Sequence, residues 1–383
     1  MLALTHLLAT SAPSSTVYLM RHCARATYLP DLYGGQKPAY LANYSDGGAL
    51  PDWGVAPTLC TARGRKLIQG QGKSVRSDFL ARMGPKQFLK VVYDAAAKRD
   101  NTTALDLLTG VGLPAVHRSG EPEIFSPPEA WCPYVSPEDK MAAVNAQLAS
   151  VPKPANYEAR IAALQATLGK GVAPPMQDIP DVVSSGAVGW LGGSFVASSW
   201  IEAMFLQLGA GLPMAYGRVN ASTLYNELLE LHVYYRAVSV RGLDIERRGE
   251  SNLLAHMLSD LAAPDNGVSL YVGHDTNLDG ISVMLDLAWP KAAPYPANTT
   301  VPGGMLRLST EGGVVSAAFM YTDLSKDEGD LLEVEALFPN GKSTIALSDL
   351  QAMAKARIDE RCVRLDGWRA GGRGTAAQVE ESA

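Results

Sequence analysis

This chain has little that would bind nucleic acid, metal or membrane. Its 33 lysines and arginines are outnumbered by 39 aspartates and glutamates, leaving a net charge of −6. No basic tract interrupts that balance, so no nucleic-acid partner is expected and any anion site must be local. Cysteine is scarce and contains no Cys-x-x-Cys pair, which argues against a zinc ribbon. No His-x-x-x-His pair or aspartate-rich ligand cluster stands out either, so neither a metal nor a cofactor is expected. The one long apolar stretch, Val188 to Leu208, carries Glu202 and is broken up by Gly189, Gly192, Gly193, Ser194, Ser198 and Ser199, with no adjacent lysine or arginine. It reads as a buried core helix rather than a membrane span. No internal repeat is present. Gly70-Gln71-Gly72-Lys73-Ser74 ends like a phosphate loop, but Leu67 stands where the first glycine belongs, so it reads as the polar end of a helix.

The 383 residues, 47% of them hydrophobic and 19% charged, suit a soluble globular protein with a large core, expected as a monomer. Val17–Met20, Phe88–Tyr93 and Val268–Val272 read as short buried strands. Helices are expected from Thr61, as N-cap, towards Leu80, over Thr102–Leu108 with a stop at Gly110, and over Asn252–Leu261 and Leu278–Leu287. This alternation predicts a mixed, mostly parallel sheet flanked by helices, an α/β class. Between these regions, Pro137–Leu168 (broken at Pro152–Pro154), Val188–Leu208 and Ser222–Ala237 are helical with almost no strand pattern, which predicts an inserted all-α cap. Strands at Met305–Leu308, Val314–Tyr321 and Leu331–Leu337 follow, then a last helix capped by Ser348 and running to Arg361. The expected division is 14–133 with 250–366 as the α/β domain and 134–249 as the helical cap. Residues 1–13 resemble a clipped secretory signal without its basic leader, and 367–383 read as a disordered tail. Four triplets, beginning at Asn43, Asn101, Asn220 and Asn298, match the N-glycosylation pattern.

Two apolar runs end in histidine: Val17-Tyr18-Leu19-Met20-Arg21-His22 and Leu270-Tyr271-Val272-Gly273-His274-Asp275. Strand ends are where open α/β sheets place ligands. A phosphoryl group in transfer spreads charge over three oxygens, and the planar arginine fork holds two at once. Arg21 and Arg25 could face one such anion, with Arg99 standing just before a helix start whose N–H groups favour anions. Positive neighbours depress an imidazole's pKa, leaving a lone pair free to attack phosphorus. His22 is the expected nucleophile, His274 a second phosphate donor, and Asp275 the acid for the leaving alkoxide.

These residues carry a resemblance to the histidine acid phosphatases, in particular their bacterial phytase and glucose-1-phosphatase branch, over roughly Thr16 to Cys362. Arg21-His22-Cys23-Ala24-Arg25-Ala26-Thr27 is similar to the family's Arg-His-Gly-x-Arg-x-Pro, with Cys23 for the glycine and Thr27 for the proline. Gly273-His274-Asp275-Thr276-Asn277-Leu278 keeps the His-Asp element. Cys60-Thr61-Ala62-Arg63-Gly64 resembles a helix start of the family, Lys98–Gly110 its third-arginine segment, with Asp100 replacing a threonine, and Pro302-Gly303-Gly304 a strand entry.

The resemblance implies a phosphoglycerate-mutase-like α/β fold with a helical cap, and metal-independent hydrolysis of a phosphomonoester through phosphohistidine at His22. Arg21, Arg25, Arg99 and His274 would hold the phosphoryl group, and Asp275 would donate the proton. Thr276-Asn277 points to phytate and other inositol phosphates, with sugar phosphates as the alternative substrate class. Glu202, Thr27 and Thr276 are possible pocket residues, Glu202 being alternatively a glutamate paired with an arginine inside the cap. The resemblance also implies a secreted or periplasmic protein and a Cys132–Cys362 bridge, closing a loop of about 230 residues worth a few kcal/mol. Cys23 and Cys60 are then either bridged beside the site or both buried thiols. The departures at Cys23 and Thr27 open two rival readings, a phosphate-ligand binder that has lost turnover and a phosphotransferase.

Overall fold

The computed structural model describes residues 15–27, 41–48, 50–83, 88–113, 118–133, 136–181, 192–263, 267–327 and 329–365. The expected signal remnant and disordered tail lie outside them. In chain order the first strand, β1 (Ser15–Arg21), is followed by helix α1 (Ala62–Arg82), β2 (Leu89–Tyr93), α2 (Lys98–Val111), β3 (Ser119–Gly120) and the short α3 (Pro122–Phe125). Helices α4 (Pro137–Ser150), α5 (Tyr157–Leu168) and α6 (Gly192–Ala210) come next. Then α7 (Ala221–Thr223) passes through a π-helical turn, Leu224–Leu228, into α8 (Leu229–Ser239). After α9 (Leu243–Ala262) the sheet resumes with β4 (Gly267–Gly273), α10 (Asp275–Met284), β5 (Met305–Glu311), β6 (Val314–Tyr321), β7 (Leu332–Glu335), β8 (Thr344–Ala346) and α11 (Leu347–Arg357).

The sheet is mixed, with helices against it, as expected. Its order is β3-β2-β4-β1-β5-β6-β7, with β8 also on β6. The β3, β2, β4 and β1 pairings are parallel and those from β1 through β8 antiparallel. β1 and β4 are wholly buried because both faces are covered. Successive side chains of a strand point to opposite faces. Val17 and Leu19 therefore enter one core, with Leu253, Leu254 and Met257 of α9 and Leu278 and Ile281 of α10. Tyr18 and Met20 enter the other, with Ile68 and Phe79 of α1 and Leu107 and Leu108 of α2. Each such aliphatic side chain contributes about 1.5–3 kcal/mol on burial, so one strand welds two layers together.

Several elements differ from expectation. α2 starts at Lys98, not near Thr102, and runs through Gly110. A Cβ on Gly110 would lie 2.2 Å from Gln69 O, and one on Gly72 2.2 Å from Leu107 O. These glycines let α1 and α2 cross at backbone contact. The helix ends at Gly112, whose φ of +87° suits glycine and whose N–H reaches back to Leu108 and Thr109. The Gly70–Ser74 stretch thus lies inside α1, not at its end. α9 begins at Leu243, so the expected boundary at 249/250 falls within a helix. Its first half buries Glu246 and Glu250 rather than an apolar stripe, which hid it from a search for apolar periodicity. α11 is capped by Ala346, with Ser348 in its first turn, and stops at Arg357 before the 3-10 turn Glu360–Cys362. The short strands β3 and β8 have no counterpart in the sequence pattern.

Both cysteine pairs are bridged. Cys132–Cys362 joins the start of the helical stretch to the chain's last described turn, and Cys23–Cys60 joins the loop after β1 to the entry of α1.

Candidate active site

The two histidines meet because of strand register. In the parallel β1–β4 pair, Arg21 lies opposite Gly273, so His22 and His274 are the next residue on each strand. Their rings stand edge to face with centroids 5.5 Å apart. His22 N–H donates to Gly273 O, and the His22 carbonyl accepts from Gly303 N–H. Pro302-Gly303-Gly304 therefore braces the histidine from the β5 side, with φ of +78° at Gly303.

His22 is buried, and its Nδ1 lies 2.9 Å from the Cys23 carbonyl oxygen. A carbonyl only accepts, so Nδ1 carries the proton and the lone pair sits on Nε2. Burial, then Arg25, Arg99 and Arg21, hold its pKa well below the usual histidine value. Cys23, the residue that departed from the glycine, does not crowd the ring. Its sulfur is bonded to Cys60, its side chain lies in the core under α1 and α2, and its N–H donates to Thr103 Oγ1 at 3.0 Å. Thr103 in turn donates to Arg99 O, so α2 supports the loop that carries His22.

His274 is the N-cap of α10, its N–H bonded to Asn277 Oδ1 at 2.8 Å. This capping position at the end of β4 is what brings the ring to the site. Burial and Arg99 bring its pKa down to about 4, against the pull of Asp275 and Asp94. Asp275, first residue of α10, accepts from Thr276 N–H and lies 3.3 Å from Arg21 Nη2 and 3.7 Å from Arg236 Nη2. Burial pushes its carboxyl up, but Arg236 and Arg21, with His22 and His274, outweigh this and hold it well below the usual carboxylate range. Asp275 is therefore ionised at mildly acidic pH.

Arg21 is fully buried between two carboxylates: its Nη2 meets both Glu202 and Asp275, and its Nη1 donates to Thr300 O. Glu202 is thus paired with an arginine, but with Arg21 beside His22 rather than one of the helical segment, and α6 is tied to β1 through it. Arg99 sits in the first turn of α2, not before it, where the positive helix end adds to its charge. Arg25 and Arg99 both act on His22. Thr276 is exposed, and its backbone rather than its hydroxyl contacts Asp275. Thr27 is half-buried at the edge of the described segment and makes no hydrogen bond to the site among the described residues.

Sequence reasoning missed the residues that hold Asp275. Arg236 donates to Asp279 Oδ2 and Arg241 to Asp279 Oδ1, each at 2.7 Å. The signal was there: Asp275 and Asp279 are four apart and share a face of α10. Asp94, at the end of β2, lies 3.8 Å from His274 Nδ1, and His232 of α8 lies 3.6 Å from Glu202.

No family model and no curated protein matches the sequence. Solved structures do match. Hafnia alvei phytase, in complex with myo-inositol hexakis sulphate, is 22% identical with a TM-score of 0.78, covering 93% of this chain and 99% of its own. Citrobacter braakii phytase is 18% identical with a TM-score of 0.79, covering 92% and 99%. A Bifidobacterium longum multiple inositol polyphosphate phosphatase, bound to inositol hexasulfate, is 9% identical with a TM-score of 0.52 over 95% and 96%. The chain has the fold of the bacterial phytases, as its resemblance to the histidine acid phosphatases implied.

Proposed function

We propose that this chain is a metal-independent acid phosphomonoesterase of the histidine acid phosphatase type, acting on inositol phosphates with phytate preferred. The observation that carries the reading is the His22 imidazole: protonated on Nδ1, free on Nε2, and surrounded by Arg21, Arg25, Arg99 and His274. In the first step Nε2 forms a bond to phosphorus as the ester P–O bond breaks, and the leaving alkoxide takes the proton of Asp275. In the second, water attacks the phosphohistidine. Asp275 takes a proton from that water, the N–P bond breaks, and inorganic phosphate leaves with the Nε2 lone pair restored. A substrate dianion beside Asp275 raises the carboxyl's affinity for a proton, so Asp275 takes up the proton it later donates as substrate binds, which acidic solution favours.

Support for the substrate class comes from the fold shared with phytases and from the number of cationic groups at the strand ends, which suits a polyanion. Helices α4 to α8 act as the cap, reaching the site through Glu202 and Arg236. Two disulfides suit an oxidising compartment, which supports a secreted or periplasmic location; no described helix is long and apolar enough to cross a membrane.

The test is phosphate release near pH 5 from inositol hexakisphosphate and from glucose 1-phosphate, with and without chelator. Labelled phosphate should be trapped on the protein in an acid-labile, base-stable form. Turnover that a chelator abolishes, or binding of phosphomonoester with no trapped label, would refute the mechanism.

A further inference from the structure

Asp100 is the third residue of α2 and fully buried. Neither of its carboxyl oxygens has a hydrogen-bond partner among the described residues. A buried carboxyl without hydrogen bonds is costly unless a ligand completes it. Its surroundings say which ligand. Oδ2 lies 3.4 Å from His274 Nε2 and Oδ1 3.8 Å from Arg99 Nε. Ring nitrogens of His22 and His274 and a carboxyl oxygen of Asp100 all lie within 4.8 Å of one another. The carboxyl therefore faces the gap between the two imidazoles, where a phosphoryl group on His22 must sit.

A carboxylate there would repel the phosphoryl oxygens, whereas a carboxylic acid is a donor to them. The groups facing Asp100 are Arg99 of its own helix, Arg25 after β1, Asp94 after β2, and His274 and Asp275 at the start of α10. The cationic Arg99 and Arg25 favour ionisation and the anionic Asp94 and Asp275 oppose it. Burial decides, bringing the carboxyl to about 9. A divalent metal on His22, Asp100 and His274 is the competing occupant, but three arginines adjoin that position and their charge favours an anion.

We propose that Asp100 is a phosphate-binding residue that enters the site as a neutral carboxylic acid and donates its proton in a hydrogen bond to a phosphoryl oxygen of a dianionic substrate. This rests on the phosphatase reading. The opposite arrangement, an ionised Asp100 accepting a proton from a monoanionic phosphate, contains the same number of protons. Sulfate separates the two, because it brings no proton to donate.

The experiment is calorimetric titration of inorganic phosphate and of sulfate into the full chain, disulfides intact, at pH 6. Wild type, Asp100→Asn and Asp100→Ala are compared, with Asn keeping a neutral donor of the same shape. Wild type should bind both anions, Asn should stay within about threefold for both, and Ala should weaken both by about tenfold or more. Above pH about 9 the wild-type affinity for phosphate should fall, and Asp100→Asn should remove that fall, a readout that needs no alanine variant to fold. Sulfate rejected by wild type and gained at least tenfold by Asn would show an ionised Asp100 and overturn the proposal. So would unchanged binding in Ala, or wild-type affinity that depends on chelator. A wild type that binds neither anion and releases no phosphate overturns the phosphatase reading itself.

Discussion

Two buried charged clusters flank the same strand, β4, and they are built in opposite ways. Beneath α9, Lys90 donates to both oxygens of Asp260 at 3.1 and 2.8 Å and to Tyr271 Oη at 2.8 Å, while Tyr271 donates to Asp260 Oδ2 at 2.6 Å. At the strand's C-terminal end lie buried atoms without hydrogen-bond partners among the described residues: both oxygens of Asp100, Arg21 Nε, Glu202 Oε2 and His232 Nε2. One cluster is closed on itself. The other is charged, packed and incomplete. A buried ionic group that satisfies itself adds structure, whereas one left open is costly without a ligand. The contrast marks the second as the site more clearly than any single residue does.

The sharpest way to break this comparison is His22→Ala. It should lower turnover by at least about a thousandfold and abolish phosphoenzyme, while leaving the urea midpoint unchanged or raised. A matching loss of stability would make His22 a structural residue. Asp275→Asn should cost about a hundredfold or more in kcat, and the loss should be smaller for substrates with a good leaving group that needs no proton; an equal loss for both would remove the acid role. Lys90→Met tests the closed cluster. It strands the Asp260 carboxylate and should destabilise the fold by about 3 kcal/mol in urea titration, with KM and kcat for folded protein unaltered. Activity lost in step with folding would merge the two regions.

The pH dependence of stability is the most gradual and most diagnostic effect. His274 ionises at about 4 when folded and near 6.5 when unfolded. The unfolded chain thus binds the extra proton between those values. Stability contributed above pH 6.5 is lost as pH falls towards 4, by up to about 3 kcal/mol. His22, lowered in the same direction, adds to the loss. Subtracting the profile of His274→Asn from that of wild type isolates the first contribution; a flat difference would mean that His274 is not held neutral by the fold.

Much of this was legible in advance. Apolar runs ending in Arg-His and Gly-His-Asp marked strands β1 and β4, because a run buried on both faces leaves few alternatives to a parallel strand. Thr61 marked the start of α1 through its side-chain oxygen, which accepts from Gly64 N–H. The two histidines, the three arginines and Asp275 that gather at the strand ends were all named from those patterns. What stayed hidden depended on partners far along the chain. Gly110 read as a stop because its contact with Gly72 of α1 is invisible locally. Glu246 and Glu250 concealed half of α9 because burying carboxyls contradicts the apolar pattern. Arg236 was passed over because its pairing with Asp279 runs from one helix to another and has no spacing in sequence.

Local composition and period determined which segments are strands and helices and which side chains can do phosphoryl chemistry, since these follow from backbone sterics and from the intrinsic charge of each group. Tertiary structure alone decided the rest. It slid β4 between β2 and β1, matched Arg21 with Gly273, and so put two histidines separated by some 250 residues into ring contact. It made Cys23 half of a disulfide rather than a buried thiol. It also chose which protons stay, because desolvation and the charges around a group, not its identity, set whether His22 is neutral, Asp275 ionised and Asp100 an acid.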